Sequence, residues 1–180
     1  MIREARVEAV SPVVRPLLAA LILAFASGCG DGYEPSLEGP PFFSASIDGG
    51  PWEPGTGASD LVAVLQPGRA FIVANRFLVD EQVGEFVQLE FDTPDPFRIT
   101  RYLFVGGTTG HAILRIHRGS NPDALYQTNP GHGGSVAIRA ADPSDSVVTG
   151  TFVFEAGQLG GSGVRQVSGS FRVRFVTSFP

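Results

Sequence analysis

The chain has little of what proteins commonly use for cross-linking, for binding polyanions or for building helices. Its single cysteine, Cys29, leaves no internal disulfide possible. Lysine is missing altogether, and the 13 basic residues are all arginines with no basic cluster among them. Against 18 acidic residues the net charge is −5, which excludes nucleic acid as an expected partner. Charged residues are only 17% of the chain, well below the usual quarter, and helical bundles or coiled coils need Ala, Glu, Lys and Leu in bulk. The one long apolar run stops at Pro16 and Arg15, short of the ~20 residues that a transmembrane helix needs. No G-x-S-x-G elbow, Walker loop or dinucleotide fingerprint is present.

What is abundant points to strands and turns. The 180 residues include 23 glycines, 14 prolines and 14 phenylalanines, and 43% are hydrophobic. From Phe42 onwards apolar and polar residues alternate with period two. Phe43, Ala45 and Ile47 alternate with serines; Val87, Leu89 and Phe91 with Gln88 and Glu90; Ala112, Leu114 and Ile116 with His111, Arg115 and His117. Residues 61–65 form a continuous apolar run, which reads as a strand buried on both faces. Asp48-Gly49-Gly50-Pro51 and Pro67-Gly68 read as turns, and the prolines of Asp92-Thr-Pro-Asp-Pro96 end a strand because they cannot donate to a ladder. The expectation is an all-β domain over 42–180: a single antiparallel β-sandwich, or a partly closed β-barrel, and a monomer. Val148-Thr-Gly-Thr-Phe152 is echoed by Val167-Ser-Gly-Ser-Phe171, which predicts a hairpin whose arms each begin with a glycine and send both phenylalanines into one core.

Residues 1–28 read as an address. Arg3, Arg6 and Arg15 precede twelve largely apolar residues, 17–28, the length of a signal-peptide core. The run ends in Ala26-Ser27-Gly28-Cys29, which resembles a bacterial lipobox with Ala26 where leucine is usual. The resemblance implies cleavage before Cys29 and acylation of its thiol and amine; two or three chains anchor firmly where one does not. The membrane is thus an expected partner through the lipid, and the cell envelope the expected location. Gly30, not Asp, follows Cys29. By resemblance to Gram-negative lipoproteins this leans towards the outer membrane, at its periplasmic face or its surface. Residues 29–41 are rich in Gly and Pro and read as a tether, reaching about 40 Å when extended.

Two stretches carry a family likeness. Phe43-Ser-Ala-Ser-Ile-Asp-Gly-Gly-Pro-Trp52 has the form F-x-A-x-I-D-G-x-P-W. Gly134-Ser-Val-Ala-Ile138, then Val148-Thr-Gly-Thr-Phe-Val-Phe154, then Gly169-Ser-Phe171 have the form G-x-V-x-I, V-S-G-T-F-x-F, G-x-F. This resembles a group of small bacterial lipoproteins known only as a domain of unknown function. The resemblance implies an all-β secreted domain and no particular activity.

Candidate chemistry is sparse. His111 and His117 share a strand face but lie six residues, about 20 Å, apart, too far to share a metal ion. His132 sits in a glycine loop. Asp92 with Asp95, and Asp142 with Asp145, flank prolines and read as turn chemistry, without the oxygen count of a calcium loop. Trp52 is a weak candidate for stacking on a sugar, with capping of a β core as the commoner use. No metal, cofactor or catalytic residue is expected. The favoured reading is a non-enzymatic envelope lipoprotein that binds a small molecule, carbohydrate or protein, or serves structurally. The alternatives are an envelope hydrolase of carbohydrate or peptidoglycan, and a lipocalin-like carrier with an apolar cavity.

Overall fold

The computed structural model describes residues 35–57, 59–79, 82–105, 110–119 and 121–177. The leader and Cys29 lie outside the described residues. Every regular element among those residues is a strand: β1 (Phe42–Ile47), β2 (Gly50–Trp52), β3 (Leu61–Gln66), β4 (Arg69–Leu78), β5 (Val83–Asp92), β6 (Arg101–Phe104), β7 (Gly110–Arg118), β8 (Asn121–Gln127), β9 (Gly134–Asp142), β10 (Val147–Gln158) and β11 (Val164–Thr177). Residues Glu34–Pro180 form one compact unit.

The all-β expectation holds. The eleven strands form one sheet in the order β2-β1-β11-β3-β4-β5-β7-β8-β10-β9-β6, and a further β10–β11 pairing closes seven of them into a ring. The long hairpin β10–β11 serves two layers at once. The early part of β11 pairs with β1, and its last residues, Phe175 to Thr177, pair with β3. Most of β10 pairs with β9, while its end, at Gly157 and Gln158, pairs with β8. One layer is therefore β2-β1-β11-β10-β9-β6 and the other β3-β4-β5-β7-β8, with corners where a strand passes from one to the other. The β11–β3 pairing is parallel, unlike the antiparallel expectation. The edge of β11 is occupied by β1 as far as Arg172, so β3 meets only the far end of that strand.

Turn residues set the registers. Asp48 and Gly49 both have positive φ, 51° and 84°, and close the two-residue hairpin between Ile47 and Gly50. That geometry suits an Asp-Gly pair and matches the twist of the flanking strands. The Asp48 carboxylate also accepts bonds from Gln166 N at 2.9 Å and Arg165 Nη1 at 2.5 Å, tying the turn to β11. These bonds hold its pKa below the ordinary carboxylate value.

The core lies between the layers. Phe152 stacks on Phe43 at 5.0 Å, on Phe154 at 6.2 Å and on Phe171 at 6.5 Å; Phe104 meets Phe154 edge-on. The glycines of the repeated motif explain the echo. Phe152 pairs with Gly169, and Phe171 with Gly150. A Cβ on Gly169 would stand 2.7 Å from the Phe152 ring, and one on Gly150 would stand 2.5 Å from the Phe171 ring. Each arm thus supplies the bare backbone on which the other arm's ring lies.

Two local readings change in the fold. Val62 and Val64 are only half-buried, whereas Ala63 is buried. Strand β3 therefore buries one face, because no second layer covers its outer side among the described residues. The end of the expected tether is held against the domain. Arg172, only 9% exposed, donates to the carbonyls of Ser36 (2.9 Å), Glu38 and Pro40 (2.6 and 2.8 Å), and its guanidinium lies over the Phe42 ring.

Candidate functional site

The outer face of the five-stranded layer carries an open groove of about 360 Å³. Its floor follows from the register. Phe77 on β4 faces Gly84 on β5, which faces His117 on β7; one row along, Asn75, Phe86 and Arg115 are paired in the same way. Side chains two apart on a strand share a face, so these two rows stand together. Gly84 contributes no side chain between Phe77 and His117, and the depression lies there. Phe77 is 62% exposed.

The β7–β8 register supplies the polar wall. Residues 113–116 pair in step with Gln127, Tyr126, Leu125 and Ala124, and the same register sets Asp123 opposite His117; the ladder shifts only beyond that point, where Arg118 pairs with Asn121. Asp123 consequently reaches His117 Nδ1 at 2.5 Å and Arg115 Nε at 2.5 Å. The bond from His117, and then that from Arg115, hold the Asp123 carboxyl below its usual range.

On the opposite face of the layer, one residue out of step with the groove's rows, Arg76 and Glu85 are register partners. Glu85 Oε2 accepts from Arg76 Nη2 at 2.5 Å and from Trp52 Nε1 at 2.8 Å. Trp52 itself is 2% exposed, edge-on to Phe43 and covered by Arg76 at 5.4 Å. Its ring offers no open face for a sugar; it pins β2 to the second layer. Beyond Arg76, Asn75 anchors the preceding loop by accepting from Gly55 N and donating to Asp60 O and Ser59 O.

The other sequence candidates are dispersed. His111 contacts Glu90 at 3.2 Å, alongside Arg69, and His132 contacts Glu155 at 2.5 Å. Each of the three histidines therefore has its own carboxylate, and no group of three or more metal-ligating side chains occurs among the described residues. Asp95 caps Phe97 N, Asp142 caps Ser144 N, and Asp92 pairs with Arg69. These are turn and ladder roles.

Sequence reasoning found the His117 and Arg115 face but not the groove. Asp123 sits in an Asn-Pro-Asp stretch that reads as a turn, and Phe77 and Gly84 meet only through strand pairing. Two further grooves, of about 440 and 520 Å³, are lined by serines and glycines around Val153 and by the loop at Glu53. Neither presents a strongly exposed aromatic ring. No protein-family model, curated protein or solved structure matches the chain.

Proposed function

We propose that this chain is a bacterial envelope lipoprotein, anchored through acylated Cys29, whose β domain binds a ligand without transforming it. The lipobox-like Ala26-Ser27-Gly28-Cys29 and the likeness to small lipoproteins of unknown function support the anchor. The observation that carries the binding role is the groove at Phe77, Gly84 and His117. An aromatic ring is left open there, although the layer beneath it already has a complete core.

Binding is favoured over hydrolysis by the state of the carboxylates. A general acid needs a pKa raised towards the working pH. Asp123 is shifted the opposite way, and Glu85 is tied to Arg76 and Trp52. The buried phenylalanines pack on one another, which supports a filled core over a lipocalin-like cavity.

Two measurements test the reading. Palmitate labelling of the full chain in a bacterial host should be lost in Cys29→Ala; label retained in the variant refutes the anchor. Native mass spectrometry of the full chain extracted from its own host should show an adduct that is absent from Gly84→Val. An adduct of equal occupancy in both, or none in either, refutes a ligand site at the groove.

A further inference from the structure

We infer that the groove takes a neutral oligosaccharide, an inference that rests on the groove being a ligand site. A pyranose ring has an apolar C–H face and a rim of hydroxyls that both donate and accept. The groove offers the matching pair of surfaces. Phe77 and Phe86 supply aromatic faces in adjacent rows, about 7 Å apart along the strands, comparable with one sugar ring. Between them Gly84 keeps the floor low, so a ring can lie flat against Phe77.

The polar rim suits vicinal hydroxyls. Arg115 and Asp123 are planar groups with donors and acceptors in fixed forks, held in place by one another and by His117. Such a fork meets two neighbouring hydroxyls at once.

Charge selects against the alternatives. Arg115, the arginine on the groove's face, is already compensated by Asp123. A phosphate or carboxylate ligand would have to compete with Asp123 for that cation, whereas a neutral polyol adds bonds without separating the pair. A purely apolar ligand would strip water from Arg115 and Asp123 and leave them without new partners. The groove is also open to solvent, which suits a segment of a longer chain.

The test is calorimetric titration of the full chain, in a sugar-free zwitterionic detergent, with four hexasaccharides. Three are neutral (β-1,4-glucan, α-1,4-glucan and chitohexaose), and one, hexagalacturonate, is acidic. At least one neutral probe should bind with a Kd tighter than about 1 mM, and Phe77→Ala and Gly84→Val should each weaken it at least about tenfold. Phe77 is exposed, so its truncation leaves the fold intact. Tighter binding of the acidic probe would overturn the neutrality argument. No binding of any neutral probe, together with an adduct lost in Gly84→Val, would reject the sugar and keep the groove. Sugar binding untouched by both variants would reject the groove itself.

Discussion

Truncation of Phe152 to alanine tests the core, because this ring joins three others across the hairpin and β1. It is 4% exposed and lies 5.0 Å from Phe43, 6.2 Å from Phe154 and 6.5 Å from Phe171. Removing a buried phenylalanine costs about 3–5 kcal/mol through lost transfer energy and the cavity left behind. Each aromatic contact adds roughly 0.5–1.5 kcal/mol beyond area burial, which places Phe152→Ala in the upper half of that range, about 4 kcal/mol. At about 3–4 °C per kcal/mol for a domain of this size, the melting temperature should fall by about 12–16 °C. Gly169→Ala supplies the internal control. Its new Cβ would press on the Phe152 ring and on the Ser44 backbone oxygen. In the Phe152→Ala background only the backbone clash remains, so the double variant should be less destabilised than the sum by about 0.5–3 kcal/mol. The assay is denaturant and thermal unfolding of the full chain followed by circular dichroism. Strict additivity, or a melting temperature lowered by less than about 5 °C in Phe152→Ala, would refute the interlocked Gly-Phe packing.

Two further predictions follow from the polar contacts. Arg172→Ala should release residues 36–40, with a stability loss of about 1.5–3 kcal/mol for the charged hydrogen bonds. A glutamate-specific protease should then cut at Glu38 in the variant and spare it in the parent; equal cutting of both would show that Arg172 does not hold the segment. Asp48 and Asp123 both have pKa values lowered below the ordinary 3.8. A carboxyl depressed in the folded state contributes stability that is fully present above its unfolded value and is lost as the pH falls through the folded one. Unfolding measured from pH 5 down to pH 2, the interval about the ordinary carboxylate value, should therefore show falling stability. The dependence should be shallower in Asp48→Asn, and an identical slope in that variant would remove Asp48 from the account.

The chemistry of single residues and short repeats was legible in the sequence. Period-two alternation placed Phe43, Val87, Leu89, Leu114, Phe152 and Phe171 in the core, because burial of one face is what alternation means physically. Asp48-Gly49 and Pro67-Gly68 announced their turns, since few residue pairs tolerate the φ values required. The paired Val-x-Gly-x-Phe motifs announced a hairpin with two rings on one side. Strand β8 was not legible, because Asn121-Pro122-Asp123 carries turn residues and its apolar part is short.

Beyond those local readings, tertiary structure decided the rest. Whether Val62 and Val64 are covered depends on which layer lies beyond them, and the sequence of β3 says only that they are apolar. Whether Trp52 is open or closed depends on Glu85 and Arg76 from distant strands. The groove depends on registers that set Gly84 between Phe77 and His117 and bring Asp123 opposite His117, diagonal to Arg115. Local composition sets the period, the turns and the buried face, since these are properties of adjacent residues. Pairing between strands decides which side chains meet, because it is chosen by the packing of the whole core.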